Sequence, residues 1–477
     1  MIQANSFSQG TEWRSELELL IKRTPGEGTV SWREEDIATH GKDETEDYFF
    51  APTAVVFADS REEVSATLKF ATEKKIPVTP RGGGTGLSGG ALPVYGGIVL
   101  SLARMDRLLD LDEKNLFAVV EPGMITQKFQ EAVEKKGLFY PPDPASRGSC
   151  TLGGNLAECA GGPRALKYGV TKDYIYGVEA VLPNGEVIQT GGKLLKNVTG
   201  FNLTQLLVGS EGTLAVITKL TIRLIALPQF KKTLMVPFPS IDSAAESVPA
   251  VFKRGIVPCA MEFMEKSVVQ CAASLLGKEY PHLEAEAQIL IELDGNDEEK
   301  LMRDAEVIAE VVSEVGALDV LVAENAEKQR ELWDIRRACG EAVKKRATYK
   351  EEDTVVPRAA LPELMRAIKS ISNQYGITTF CYGHAGDGNI HVNILKENIS
   401  DEKWNKELPL AITELFKETV RLGGTISGEH GIGYVQKEYV SIALSKENLR
   451  IQSKIKKAFD PDGILNPGKI LPNQIFS

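Results

Sequence analysis

Apolar and polar positions change rhythm several times along this chain. Trp13, Leu17, Leu19, Leu20 and Ile21 recur with helical spacing, and Gly26-Glu27-Gly28 stops that helix. The continuous apolar run Ala54-Val55-Val56-Phe57-Ala58 reads as a buried strand. A helix follows from Ser60 through Lys75, with Ser60 and Glu63 spaced as a capping box. Ile76-Pro77-Val78-Thr79-Pro80 reads as a second strand. Further strands are expected at 97–102, 116–120 and 178–190, a helix near 126–137, and a strand from Thr213 to Ile222. After residue 228 glycine thins out and the texture changes. Helices are expected at 241–254, 297–315, 324–346 and 361–375, and strands at 287–294 and 377–395. These rhythms predict an α+β protein in four parts: an N-terminal helical extension (1–47), a first α+β domain (48–227), a second domain with an antiparallel sheet flanked by helices (228–420), and a helical C-terminal segment (421–477).

Composition narrows the function classes. The chain has 477 residues, enough for two or three domains with ample core, and its 43% hydrophobic and 25% charged content is that of a globular protein. A net charge of −11 disfavours nucleic acid or an anionic membrane surface as main partner. The six cysteines include no CxxC pair, so they read as thiols in a reducing compartment and cannot hold an iron–sulfur cluster by themselves. No apolar run is long enough to span a membrane, and residues 1–5 do not open a secretory signal, so the cytoplasm is the expected location.

Candidate chemistry concentrates in Cys381 to Asn393. The chain has five histidines, and His384 and His391 both fall here, while His430 follows Glu429 between glycines. Clustered His and Glu suit a metal or an acid/base site; an ordinary hairpin with polar decoration is the alternative. Asp387-Gly388 is a strong two-residue turn signal. With that pair at the tip, His384 faces His391, and the strand period of two brings Tyr382 and Asn393 to the same face.

Glycine loops form the second focus. Gly84-Thr85-Gly86-Leu87-Ser88-Gly89 has the spacing G-x-G-x-x-G, yet Ala91-Leu92-Pro93-Val94 after it cannot open the helix that a dinucleotide fingerprint requires. The glycine run still exposes backbone N–H groups in a concavity suited to a diphosphate, or else is a flexible loop. Pro142-Asp143-Pro144-Ala145-Ser146, Thr151-Leu152-Gly153-Gly154-Asn155 and Gly209-Ser210-Glu211-Gly212-Thr213 each could bring backbone close to a flat cofactor, and each singly reads as a turn.

Together these segments resemble the FAD-binding domain of the vanillyl-alcohol-oxidase/p-cresol-methylhydroxylase family. The resemblance runs from about residue 48 to the C-terminus, and with His384 to Asn393, Gly428 to Gly433 and Asn466-Pro467-Gly468-Lys469 it narrows to the FAD-dependent D-2-hydroxyacid dehydrogenases. It implies a two-subdomain FAD-binding domain, a substrate (cap) domain, and a C-terminal segment that returns to the first. It implies non-covalent FAD held by Arg81, Gly82, Gly83, Gly84, Thr85, Gly86, Leu87, Pro142, Asp143, Ser146, Thr151, Gly153, Gly154, Asn155, Glu211, Gly212 and Asn466; no histidine lies between His40 and His282 to form a histidyl link. It implies a divalent metal (Zn, Fe or Mn) on His384, His391 and Glu429, His430 as base, and Arg336, Lys350 and Asn393 as holders of the substrate carboxylate. D-lactate or glycolate is the expected substrate. Gly340 stands where hydroxyglutarate-type enzymes carry Thr, and the spacing to Lys350 is one residue shorter, which counts against hydroxyglutarate. The implied electron acceptor is a quinone, an iron–sulfur subunit or an electron-transfer flavoprotein, with a homodimer or a multisubunit complex, in the cytoplasm or at the inner face of the membrane. The rival readings are a D-2-hydroxyglutarate dehydrogenase, a metal-independent alcohol oxidase and a non-catalytic electron-transferring flavoprotein subunit.

Overall fold

A computed structural model describes residues 10–45, 48–397 and 399–473. The parts of the N-terminal extension at 1–9 and 46–47 lie outside the described residues. The chain divides into two units. One takes the chain up to Ala160, Val170–Leu227 and the stretch from Glu429 onward; the other takes Gly161–Gly169 and Pro228–Gly428.

The first unit contains two sheets. Strands Thr29–Ser31, Ala54–Phe57, Ile98–Ser101 and Val78–Arg81 lie side by side in that order, and the last three run parallel. Their connecting helix, Arg61–Lys74, begins as its sequence predicts. The Ser60 hydroxyl accepts from the Glu63 N–H while the Glu63 carboxylate accepts from the Ser60 N–H. Such a cap contributes about 1 kcal/mol. Val56, Leu68, Val78 and Leu100 sit in the resulting core with Ile464 and Leu465 of the C-terminal segment. The second sheet is antiparallel: Leu108–Asp112, Phe117–Val120, Val216–Arg223, Ile175–Val181 and Val187–Gly191. The expected strand at 178–190 is thus a hairpin that turns at Gly185 (φ 85°). The C-terminal segment is helical chiefly at Lys446–Phe459, and 422–439 contain no regular element, because glycines punctuate them.

The second unit is built on one antiparallel sheet of seven strands, in the order Leu321–Val322, Phe230–Phe238, Ala287–Gly295, Ala260–Glu265, Thr378–His384, Asn389–Leu395, Tyr349–Val355. On one side helix Ala326–Arg346 packs with Lys266–Leu276, bringing Trp333, Ile335 and Cys339 against Met264, Phe380 and Tyr382. Among the described residues no helix is long and apolar enough to cross a membrane.

Candidate active site

The hairpin carrying the two histidines is wider at its turn than its sequence suggests. Strand pairing sets Tyr382 opposite His391 and His384 opposite Asn389. Ala385–Asp387 form a 3-10 turn closed by the Gly388 N–H on the Ala385 carbonyl at 3.0 Å. This corrects the expected two-residue turn and the direct opposition of His384 and His391. A two-residue primed turn of that type needs positive φ at both central positions, and only Gly388 adopts it, at 77°. The slip preserves residue parity, so the imidazoles stay on one face as diagonal neighbours. Their ring centroids are 5.3 Å apart, edge to face. Tyr382 and Asn393 share that face.

Buried carboxylates hold this face. Glu262, fully buried on strand Ala260–Glu265, places both oxygens 2.9 Å from His384 Nδ1. The same carboxylate receives Arg336 Nη2 at 2.6 Å, and the guanidinium lies 5.0 Å from the centre of the Tyr382 ring. A carboxylate on Nδ1 keeps the proton there and leaves Nε2 as the ligand nitrogen. His391 Nδ1 lies 3.3 Å from Glu351 and 3.7 Å from Asp353. Asp353 accepts from Asn389 Nδ2 at 2.7 Å, Ser427 Oγ at 2.9 Å and the Gly428 N–H at 2.7 Å. Gly428 ends the second unit, and the peptide bond carries its anchoring directly to Glu429. His384 and His391 thus stand side by side on one face of the second unit, with a carboxylate behind each. Two imidazoles and a carboxylate are a donor set suited to a divalent metal. Two polar atoms are left over: Arg336 Nε and Asn393 Oδ1 are buried with no hydrogen-bond partner among the described residues.

Lys350 does not join this cluster. It pairs with Ile394, one residue out of phase with Glu351 opposite Asn393, so strand alternation turns it to the other face of the sheet. Its ammonium lies over the Trp404 ring, 5.5 Å from the centroid. The expected carboxylate pair of Arg336 and Lys350 is thereby corrected: the structure brings Glu351, not Lys350, to the histidine face.

In the first unit, the loop after strand Val78–Arg81 has the form of an anion cradle. Among the described residues, no N–H from Gly82 to Leu87 donates to another backbone carbonyl. Arg81 is buried, donates to the Lys42 carbonyl at 2.8 Å, and packs its guanidinium where a Cβ on Gly84 would stand. Thr151 caps helix Leu152–Glu158, and its hydroxyl lies 2.3 Å from the place of a Cβ on Gly82. Loop 81–87 and segment 151–155 therefore touch. Asn155 Nδ2 donates to Thr126 Oγ1 at 2.7 Å, and Gln130 Nε2 to the Pro142 carbonyl at 2.8 Å. Asp143 and Ser146 are half-buried in the turn after Pro142. Asn466 Nδ2 clasps the carbonyls of Gly90 at 3.0 Å and Glu211 at 2.7 Å. The side chains of Arg81, Asn155 and Asn466 shape the cradle from within. Open backbone donors, not these side chains, fit a diphosphate. The Glu211 carboxylate accepts from the N–H groups of Ile432 and Gly433.

Glu262, Glu351 and Asp353 did not emerge from the sequence. A signal exists: Glu262 interrupts the apolar strand Ala260–Glu265, where a charge has no solvent to face.

Fold and cradle define a flavin-binding oxidoreductase, and comparison with known proteins agrees. Residues 52–191 match the family described as FAD binding domain, and residues 227–470 match FAD linked oxidases, C-terminal domain; the chain belongs to this family of FAD-linked oxidases. It is 41% identical over 433 residues to glycolate oxidase subunit GlcD of Bacillus subtilis (strain 168), covering 90% of this chain and 91% of that one. It is 42% identical over 417 residues to D-lactate dehydrogenase of Archaeoglobus fulgidus, covering 87% and 91%. Its fold matches that of p-cresol methylhydroxylase with substrate bound at TM-score 0.80 and 18% identity, covering 98% and 99%. The names of these relatives fall in the group that the sequence motifs resemble, and the fold is similar to that of p-cresol methylhydroxylase.

Proposed function

We propose that this protein oxidises a small D-2-hydroxyacid, D-lactate or glycolate, to the 2-oxoacid, using FAD and one divalent metal and passing the electrons to a separate acceptor. What supports the metal is the pair His384 and His391 on one face, with Glu262 fixing the tautomer of His384 and Glu429 following the anchored Gly428 in the chain. When bound, the metal supplies a Lewis acid that lowers the substrate hydroxyl pKa, and FAD supplies the two-electron acceptor. His430 takes the hydroxyl proton on a ring nitrogen. Arg336 Nε offers a donor to the substrate carboxylate, and Asn393 Oδ1 an acceptor to its hydroxyl.

Two features support a short monocarboxylate and a separate acceptor. Gly340 offers no hydroxyl to a second carboxylate, and a Cβ there would already stand 3.2 Å from the Tyr382 hydroxyl. The groups able to hold a metal among the described residues contain no cysteine. A quinone, an iron–sulfur subunit or an electron-transfer flavoprotein each meets the need. The name of the Bacillus relative as a glycolate oxidase subunit supports a multisubunit complex.

The test is anaerobic titration with D- and L-lactate, glycolate and D-2-hydroxyglutarate, with and without a chelator. D-lactate or glycolate should bleach the flavin absorbance, chelation should abolish this, and added metal should restore it. His384→Ala should keep yellow flavin that substrate no longer reduces, and His430→Ala yellow flavin that substrate reduces only at a small residual rate. Wild-type reduction in either variant, or indifference to the chelator, removes the assignment. Chelator-insensitive turnover with stoichiometric peroxide would identify a metal-free oxidase.

A further inference from the structure

We propose that Glu211 is a positioning residue for His430: its carboxylate holds the loop that presents the base. The proposal rests on the assignment of His430 as that base. Glu211 has φ 50°, in the left-handed region that a residue with a Cβ rarely adopts. Its backbone is fixed on both sides. The N–H donates to the Ala157 carbonyl at 2.8 Å, and the carbonyl accepts from Asn466 Nδ2 at 2.7 Å. Its carboxylate is buried and receives the N–H of Ile432 at 2.8 Å on one oxygen and that of Gly433 at 2.7 Å on the other. These are the second and third residues after His430.

Contacts from the glycine loop close the clamp. The Ser88 carbonyl accepts from the N–H of Tyr434 at 2.8 Å and of Val435 at 3.1 Å. A Cβ on Gly433 would meet that oxygen at 2.1 Å, and one on Gly431 would meet Glu158 Oε2 at 2.2 Å. The chain after His430 is therefore gripped between Glu211 and Ser88, with Glu158 against Gly431. A residue in a rarely adopted backbone conformation, with a buried carboxylate whose two oxygens both accept from that backbone, is costly for a fold that needs only to bind flavin. The cost is explained if the position of His430 matters to the rate.

The test compares Glu211→Gln, His430→Ala and the double variant as holoenzymes. Glutamine keeps one acceptor oxygen but sets an amide N–H₂ against the second backbone donor. FAD content and KM should stay within about twofold, while the rate of anaerobic flavin reduction by D-lactate falls about 10²-fold, the cost of small misplacements of a reacting group. In the His430→Ala background the same change should cost nothing further. Additive losses in the double variant overturn the proposal alone, as does loss of FAD with an unchanged rate per bound flavin. A wild-type rate in His430→Ala overturns the base assignment and this proposal with it. If Glu211→Gln does not fold, Gly433→Ala presses the same segment from the Ser88 side and should show the same non-additivity with His430→Ala; additivity there overturns the proposal.

Discussion

Glu262 is the residue on which the histidine face depends. One buried carboxylate serves a histidine and an arginine at once, and removing its charge leaves Arg336 buried without its partner. Glu262→Gln should weaken metal binding 10–100-fold or so, as loss of a carboxylate behind a ligand histidine does, and should destabilise the fold by about 3–5 kcal/mol. Metal analysis after gel filtration and thermal melting measure the two effects. Lys350→Ala should leave kcat/KM within about twofold, because strand alternation turns Lys350 away from the site; steady-state kinetics decide this. At this scale the sequence draws attention to His384, His391, Glu429 and His430, since histidine is scarce and these stand among glycines. Glu262 could not be read there: 122 positions separate it from His384, and no local spacing encodes that contact.

Among the elements, the hairpin and the strand beside it determine which side chains meet. Gly388 combines a φ of 77° with a carbonyl, that of Val356, lying 2.0 Å from the place of its missing Cβ. Gly388→Ala should cost about 1–3 kcal/mol from backbone strain, and more from that clash. A lowered Tm, with weaker metal retention as the turn shifts, is the expected readout. The capping box at Ser60 was legible because both partners lie within three residues. The strand Tyr349–Val355 was not, because four consecutive charges, Lys350, Glu351, Glu352 and Asp353, leave no apolar alternation to read. Those charges occupy a strand because they find partners there: Asp353 grips the Ser427–Gly428 backbone, and Glu351 lies against His391.

For the whole molecule, the path of the chain carries information that periodicity does not. Gly161–Gly169 leaves the first unit for the second and then returns. Asp294 secures this excursion, accepting Lys167 Nζ at 2.5 Å and the Tyr168 hydroxyl at 2.8 Å, while Leu166 packs against Gly386 of the hairpin turn. Asp294→Ala should loosen the excursion and open a protease-sensitive site near 161–169, detectable by limited proteolysis and mass spectrometry. The sequence by itself determined the α+β class and where glycines cluster, because these follow from local periodicity and from backbone conformations that only certain residues adopt. It also determined the scarce histidines that open the question of a metal. Only the tertiary structure decided which carboxylates stand behind those histidines, that Lys350 faces away, that Glu211 is spent on the His430 loop, and that the hairpin turn is wider than its Asp-Gly pair suggests. Each of these depends on strand register or on contacts between segments distant in the chain, and packing sets both.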